Sequence, residues 1–391
     1  MLRERGVDVE CLFIMHWGDT GPAVSALRAA GIRCSIATGV DRTEERIHWI
    51  LDRLRENPPD VFVPNLVIAA YFAARWAREA GIATVGVLHS DDPFYHAILD
   101  TFAFGPEKYR VSSLVCVSEE LERAVHARGS AAFTVERIPY GVGLPERRVQ
   151  RSRERLRLAY VGRLAEEQKR ISDVTRSMCM AVRSIEGVEA VIYGDGPDKA
   201  AVGRIVESEG AGLPIALGGR VDAEEMQTRM LDVDVIVLLS DYEGLPIALL
   251  EAMACGCVPV CLAIRSGIPE LVENEVSGLL VRDRGDAFVG AVRRLRDDAV
   301  LWTRLSDGAR ASASRFSDEA SADSWATFLT NLGRASAKPR IVLRPRRLDL
   351  PAVHPMLASA DARVVRPNRW AQRFGQARMF LGRVRRQVFR R

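Results

Sequence analysis

The sequence lacks any apolar run long enough to cross a bilayer. Its longest runs, Val235–Leu239 and Cys257–Ile264, are far shorter than the roughly 20 residues that a spanning helix needs. The chain also does not open with a charged segment followed by an apolar one, the pattern of a secretory signal. We therefore expect a cytoplasmic protein.

Cysteine is scarce and unpatterned. The seven cysteines are an odd number and are scattered, and the close group Cys255, Cys257 and Cys261 does not have the spacing of zinc ligands. This excludes a disulfide scaffold and favours reduced thiols. We expect no structural metal.

Acidic residues are almost missing from the end of the chain. Residues 333–391 contain 16 Lys and Arg against 2 Asp and Glu, a net charge of +14, although the whole chain carries only +4. The preceding residues therefore carry a net charge of −10. We therefore expect the acidic body, residues 1–332, and the basic tail, residues 333–391, to be structurally separate segments.

The body alternates short β-rich runs with helical patterns such as 44–56 and 66–80, which predicts an α/β fold with helices covering parallel sheets. The predicted strands fall into two consecutive sets: 10–15, 33–38, 61–64, 84–88 and 114–117, then 158–161, 190–193, 215–217, 235–239, 258–261 and 279–281. Two such sets predict two Rossmann-like domains that face each other across a cleft.

The predicted hinge is Pro139–Gly143, which is followed by the charged linker 147–157. This gives a first domain at 1–141, a second domain with a terminal helix at 142–332, and the basic tail at 333–391.

The tail begins with a proline-rich stretch, 338–367, that predicts an extended or disordered connector. Apolar residues then recur every three or four positions, as on one face of a helix: Trp370, Phe374, Ala377, Leu381, Val384 and Val388. A basic amphipathic helix at 370–391 is typical of binding to an anionic membrane surface. A solvated or partner-binding tail is the alternative. Nucleic-acid binding is not expected, because no aromatic residues are interleaved as in known folds of that class.

Two cations follow the first strand of the second domain. Gly162 and Arg163 end the predicted strand 158–161, and Lys169 lies six residues after Arg163. Ligands of parallel sheets bind at the carboxyl ends of the strands, so both cations could face one anion, such as a diphosphate. The alternative is a pair of solvated surface charges.

Two carboxylates flank the start of a predicted helix. The strand 235–239 leads into a loop containing Glu243, and a helix begins near Pro246 and contains Glu251. Free N–H groups at the helix start suit an anion, and the two carboxylates suit hydroxyl groups of one ligand. Alternatively, Glu243 caps the helix and Glu251 is solvated.

The spacing of Glu243 and Glu251, with Gly-Leu-Pro after the first, resembles the motif of glycosyltransferase family 4, retaining enzymes with the GT-B fold. The resemblance spans roughly residues 7–330 through segments in the same order: 87–90, 116–119, 138–142, 161–164, 193–197, 217–221, 251–256, 267–270 and 277–281. So many ordered matches make chance similarity improbable.

The resemblance implies a sugar-nucleotide donor and a role for each matching residue. Arg163 and Lys169 would hold the diphosphate and stabilise the leaving charge. Gly162, Gly244 and Leu245 would lie beside the phosphates, and Glu251 would bind the ribose. Arg220 and Val221 would lie near the base. Glu243 and His89 would contact the transferred sugar. No cofactor or metal is implied. Asp232-Val233-Asp234 looks like a metal-binding motif, but we interpret it as structural because it precedes a buried strand.

The amino terminus departs from this family pattern. Family members begin with a strand and a glycine-rich loop before the segment that matches 6–10, and we expect both to be missing here. An alternative alignment takes 11–15 as the first strand and Trp17–Gly21 as the loop. The missing loop puts acceptor binding in doubt.

Three functions are compatible with these features. The first is a retaining glycosyltransferase, peripheral on the membrane, that acts on a glycan or lipid-linked acceptor. The second is a catalytically lapsed GT-B protein that binds sugar nucleotide or serves as a scaffold. The third, an epimerase or phosphorylase on the same fold, is disfavoured because neither is expected to have the paired glutamates.

Overall fold

The computed structural model describes residues 1–14, 22–129, 133–152, 154–335 and 340–358. Within these ranges parallel strands alternate with helices in two consecutive sets, which confirms the predicted α/β architecture. The predicted loop Trp17–Gly21 and the predicted helix 370–391 lie outside the described residues.

The first set contains two sheets in which every neighbouring pair is parallel. Its strands are β1 (Glu10–Ile14), β2 (Arg33–Ala37), β3 (Val61–Phe62), β4 (Ala83–Leu88), β5 (Ser113–Cys116) and β6 (Thr134–Arg137). Its helices are α1 (Pro22–Ala29), α2 (Thr43–Glu56), α3 (Ile68–Glu79), α4 (Pro93–Phe102) and α5 (Glu119–Ala127). Strands β1 and β2 form one sheet and β3-β4-β5-β6 the other, and among the described residues no ladder joins the two.

Sequence patterns located five of these six strands to within two residues. Strand β3 is shorter than predicted and ends before Pro64, which has no N–H to donate to a ladder. Strand β6 was not predicted. Its sequence Thr-Val-Glu-Arg has one apolar residue, and its side chains are mostly exposed because it lies at the edge of the sheet.

The second set forms one six-stranded parallel sheet in the order β12-β11-β10-β7-β8-β9. Its strands are β7 (Leu156–Val161), β8 (Val188–Tyr193), β9 (Ile215–Gly219), β10 (Val235–Leu238), β11 (Val258–Leu262) and β12 (Leu279–Val281). Its helices are α6 (Glu166–Lys169), α7 (Ile171–Ser184), α8 (Lys199–Glu209), α9 (Ala223–Met230), α10 (Ile247–Cys255), α11 (Ile268–Leu271), α12 (Asp286–Asp297) and α13 (Ala299–Ala313).

The order of this sheet reverses between β7 and β10. The chain runs outward from β7 through β8 to β9, then crosses back to β10 beside β7. In open α/β sheets, ligands bind at the carboxyl ends of the strands on either side of such a switch. The loops after β7 and β10 therefore adjoin at the position where a ligand is expected.

The terminal helix α14 (Asp318–Ala335) returns to the first domain, where it contacts β3 and β4. The sequence predicts this helix as the end of the second domain, at residue 332, whereas it continues to Ala335 and packs on the first domain. Residues 340–358 also pack on the first domain. Arg340 pairs with Asp60 at 2.5 Å, and Val342 and Leu357 are buried. This part of the predicted connector packs against the first domain and includes a short 3-10 helix at Pro355–Leu357.

The linker between the sheets is fixed where α14 begins. The Val142 N–H donates to the Phe316 carbonyl at 2.9 Å, and a Cβ at Gly141 would lie 2.5 Å from the Cα of Asp318. Only glycine fits at position 141. No helix within the described residues is long and apolar enough to cross a membrane.

Candidate functional site

The loops that follow β7, β8, β9 and β10 are joined at the carboxyl edge of the second sheet. Leu164 N–H donates to the Asp195 carbonyl at 2.9 Å, and Gly194 N–H donates to the Gly219 carbonyl at 2.7 Å. Gly194 has a φ of +141°, and a Cβ there would overlap the carbonyl oxygen of Gly162. Glycine is needed at Gly194 because two loop backbones meet there.

Lys169 and Glu243 form an ion pair at this edge. The Lys169 Nζ lies 2.6 Å from Glu243 Oε1, and the two side chains are only 16% and 6% exposed. Gln168 donates to the Tyr242 carbonyl at 3.0 Å and to Glu243 Oε2 at 3.4 Å. The end of α6 and the loop before α10 therefore hold a cation and a carboxylate together with little water around them.

Arg163 belongs to the same cluster. Its carbonyl accepts a hydrogen bond from the buried Tyr160 hydroxyl at 2.9 Å, while its side chain is exposed. Burial and then the Glu243 carboxylate raise the pKa of Tyr160, and the Arg163 guanidinium lowers it. The Tyr160 hydroxyl is therefore within electrostatic range of both the Arg163 guanidinium and the Glu243 carboxylate, and it stays a prediction that Arg163 and Lys169 face one ligand.

The second predicted carboxylate, Glu251, lies on helix α10. It occupies the second turn of α10 and is exposed, yet the surrounding protein raises its pKa by desolvation, followed by repulsion from Asp318. Asp318 adjoins the linker glycine Gly141. In the described part of the chain no ion pair joins Glu251 to Arg163 or Lys169, and the charged group that acts on its pKa is Asp318 at the start of α14.

The remaining predicted residues surround this edge. Arg220 is exposed and lies near Asp195, whose pKa is lowered by the Gly196 N–H, then by Lys199, and also by Arg220. Val221 follows it and is half-buried, and Leu245 is buried just before α10 begins.

The first domain reaches this site through His89, which follows β4. A Cβ on Gly244 would overlap the His89 carbonyl oxygen, so the two backbones touch across the domain boundary. Burial lowers the pKa of the His89 imidazole. The structure thus places His89 opposite the loop that carries Glu243.

A second contact between the domains involves Glu270 of α11. Its Oε1 accepts from the backbone N–H groups of Glu119 at 2.6 Å and Glu120 at 3.4 Å, at the amino terminus of α5. The Arg137 guanidinium lies 3.6 Å from Oε2. A carboxylate is favoured there by the free N–H groups and by the helix dipole. Glu270 therefore holds the second domain against the first.

We expect Glu270→Ala to loosen the closed arrangement, because charge-assisted hydrogen bonds to a buried carboxylate contribute about 1.5–3 kcal/mol. Small-angle scattering should show a larger radius of gyration than for wild type. The exposed Glu273 is the matched control, and Glu273→Ala should change nothing. Equal radii for Glu270→Ala and wild type would show that other contacts suffice for closure.

Asp232 and Asp234 lie at the opposite edge of the sheet, since β10 begins after them. Asp234 is fully buried, and its Oδ2 accepts from the Arg157 backbone N–H at 2.7 Å. Asp232 is exposed and 3.5 Å from the Arg157 guanidinium. Asp234 thus joins the start of β10 to β7 by a hydrogen bond, in agreement with the structural interpretation. No group of three or more potential metal ligands occurs among the described residues.

Sequence reasoning missed four side chains that support the site: Tyr160, Gln168, Asn65 and Tyr140. Gln168 was detectable only as the neighbour of Lys169. Asn65 follows a strand at its carboxyl end, which is a weak signal. Tyr140 lies in the predicted hinge, but nothing in the sequence shows that its hydroxyl reaches His89.

A family model described as Glycosyl transferases group 1 matches residues 155–298, the core of the second domain. Alpha-D-kanosaminyltransferase of Streptomyces kanamyceticus is 26% identical over 290 residues, covering 68% of this chain and 75% of that protein. Lipopolysaccharide core biosynthesis glycosyltransferase LpsD of Rhizobium meliloti is 26% identical over 294 residues, 71% and 78% of the two chains. Several other curated relatives are matched over only 23% to 35% of their own length.

Solved structures share the fold at low identity. HepE of Anabaena in complex with UDP and glucose has a TM-score of 0.66 at 15% identity, covering 82% of this chain and 99% of that one. The predicted arrangement of two Rossmann-like domains is therefore confirmed.

Proposed function

We propose that this chain, a glycosyltransferase with the GT-B fold and a group 1 glycosyl transferase domain, moves a hexose from a nucleotide-diphosphate sugar with retention at the anomeric carbon. The observation that carries the proposal is the Lys169–Glu243 ion pair, which lies beside Arg163 at the topological switch and opposite His89. A cation and a carboxylate are thus paired on the loop whose Gly244 backbone touches the His89 backbone of the first domain.

The nature of the donor is supported by charge and by similar proteins. A diphosphate requires fixed cations, and Arg163 and Lys169 supply them next to the start of α10. HepE was solved with UDP and glucose, and the pneumococcal O-GlcNAc transferase GtfA with UDP and GlcNAc. We propose Glu251 for the ribose, Arg220 and Val221 for the base, and Glu243 and His89 for the transferred sugar.

In the proposed reaction, the bond from the anomeric carbon to the diphosphate breaks while an acceptor hydroxyl attacks from the same face. The hydroxyl proton passes to the departing phosphate oxygen. Negative charge grows on the diphosphate, and preorganised cations stabilise this charge more in the transition state than in the ground state. Lys169 and Arg163 provide that positive charge, so the proposal includes no metal or cofactor.

A panel of UDP- and GDP-sugars tests the donor class. When the free donor concentration is a hundred times its Kd, binding raises the free energy of unfolding by about 2.7 kcal/mol. This raises Tm by roughly 5 °C. We expect at least one sugar nucleotide to do this in thermal denaturation, and the free sugar to have no effect. Unchanged melting with the whole panel would refute the proposal.

The acceptor class is proposed from the relatives. One is named for lipopolysaccharide core biosynthesis and another, WcaL of Escherichia coli, for colanic acid biosynthesis. We therefore propose a glycan or lipid-linked acceptor. The lapsed-enzyme alternative is not favoured, since Arg163, Lys169 and Glu243 are all present and the last two are paired.

We also propose that residues 370–391 bind an anionic membrane surface, on the basis of their sequence. Each arginine near such a surface contributes about 1 kcal/mol. Replacing Arg383, Arg385 and Arg386 by Ala in the full chain should thus weaken membrane binding by about 3 kcal/mol. This corresponds to a membrane partition coefficient that is roughly a hundredfold lower. Sedimentation with anionic and with neutral liposomes measures this. Equal recovery with both lipids would end the electrostatic proposal.

A further inference from the structure

His89 is bonded through both of its ring nitrogens. Its Nε2 lies 2.7 Å from Asn65 Oδ1, and its Nδ1 contacts the Tyr140 hydroxyl. The rings of His89 and Tyr140 are stacked with an interplanar angle of 4°, and the Tyr95 ring meets the imidazole edge-on. The orientation of the imidazole is therefore fixed from three sides.

These contacts also select a protonation state. A neutral imidazole carries one N–H, and an amide oxygen only accepts, so the proton must be on Nε2. Nδ1 is then an acceptor and receives the Tyr140 O–H. Burial lowers the pKa of His89 and raises the pKa of Tyr140 to about 12, which keeps both groups neutral near pH 7.

Both partners are themselves held in place. Tyr140 precedes Gly141, which is packed against the start of α14, and the Pro139 carbonyl accepts from Ser321 Oγ at 2.8 Å. Asn65 is exposed and is followed by Leu66 with a φ of +60°. A non-glycine residue in that region costs about 1–3 kcal/mol and persists where the surroundings impose it, often at functional sites.

We propose that Asn65 and Tyr140 are positioning residues that hold the His89 imidazole in one orientation and as the neutral Nε2–H tautomer, with Asn65 Oδ1 as the acceptor that a hydroxyl of the transferred sugar replaces on binding. This inference rests on the proposed function, in which His89 contacts that sugar. A hydroxyl that replaces Asn65 Oδ1 as the acceptor from Nε2–H lies beside the exposed Asn65 amide, which carries a donor and an acceptor of its own. Tyr140 acts only through the ring, by donating to Nδ1 and holding the imidazole in this orientation.

The tautomer can be read directly in the full-length protein labelled with ¹⁵N-histidine. Long-range proton–nitrogen correlation spectra distinguish the Nε2–H, Nδ1–H and charged forms, and His89→Gln assigns the signal among six histidines. We expect wild type to show Nε2–H at pH 7. Asn65→Ala removes the acceptor from Nε2–H and should give a mixture of tautomers, whereas Tyr140→Phe leaves that acceptor in place and should still show Nε2–H.

Matched variants separate positioning from general packing. Tyr95→Phe alters a buried ring that contacts His89 without bonding to its nitrogens, and should keep pure Nε2–H. Asn65→Ala should loosen the ring, whereas Asn65→Asp keeps an acceptor and raises the His89 pKa, because a carboxylate beside the imidazole favours its charged form. With a donor that wild type turns over, Tyr140→Phe should lower kcat about 10-fold, the effect of one hydrogen bond, and leave KM within twofold.

An Nδ1–H or charged ring in wild type, or an unchanged spectrum in Asn65→Ala, would overturn the proposal. So would an unchanged kcat in both Tyr140→Phe and Asn65→Ala, although the glycosyltransferase assignment would then stand. If wild type turned over no sugar nucleotide, the proposed function would fail and this inference with it. The spectra identify which of the two has failed, because they need no substrate.

Discussion

Lys169→Ala is expected to abolish the rise in melting temperature that a sugar nucleotide gives to wild type, and to lower turnover by about 10²–10³-fold. Losses of this size follow removal of one preorganised group that stabilises developing negative charge. The Lys169 ammonium lies at the topological switch in a poorly solvated position, where its charge is weakly screened. Thermal denaturation with the donor panel and a turnover assay measure both effects.

The single variant also leaves Glu243 buried without its partner, which can cost about 3–5 kcal/mol of stability. The double variant Lys169→Ala, Glu243→Gln removes the lone charge and should recover much of that loss. It should still not respond to donor, which separates ligand binding from folding. Lys108→Ala, which removes a lysine that pairs with Asp349 on the other side of the first domain, should respond like wild type. A full donor response in Lys169→Ala would place the diphosphate elsewhere.

The strands, and the side chains that directly follow them, were predictable because they depend on residues that are close together in the sequence. Buried β-branched runs located β10 and β11, and the parallel arrangement implied that Arg163, Lys169 and Glu243 would meet at one edge. Arg163, Lys169 and Glu243 lie two to eight residues beyond the ends of β7 and β10, so their approach to one edge could be predicted from the strand positions. The pattern alone left solvated surface charges as an alternative, which the ion pair of Lys169 with Glu243 rules out for those two side chains.

Contacts that join distant segments were not predictable. The Tyr140 hydroxyl reaches His89 across 51 residues, and Glu270 reaches the start of α5 across about 150. Such pairs depend on how the two domains are docked, which no periodicity encodes. The return of α14 to the first domain was missed for the same reason, since its sequence reads only as an amphipathic helix.

Gly244→Ala is expected to lower turnover at least a hundredfold although each domain still folds. A methyl group at this position would overlap the His89 carbonyl oxygen, and the Gly244 carbonyl is itself covered by Gly267. The loop therefore has no room to move away, and the domains must separate instead. A displacement of about 1 Å between reacting groups is enough for a hundredfold loss.

Turnover and small-angle scattering should report this together, because separated domains give both a lower kcat and a larger radius of gyration. Gly203→Ala is the matched control: a Cβ in the middle of α8 meets no atom within 4 Å, and alanine there should leave activity unchanged while stabilising the helix by about 0.4–1 kcal/mol. Melting of Gly244→Ala close to that of wild type would show that the loss is not unfolding. Full activity in Gly244→Ala would mean that the touching backbones of His89 and Gly244 are not part of the reactive arrangement, and that catalysis tolerates a more open cleft.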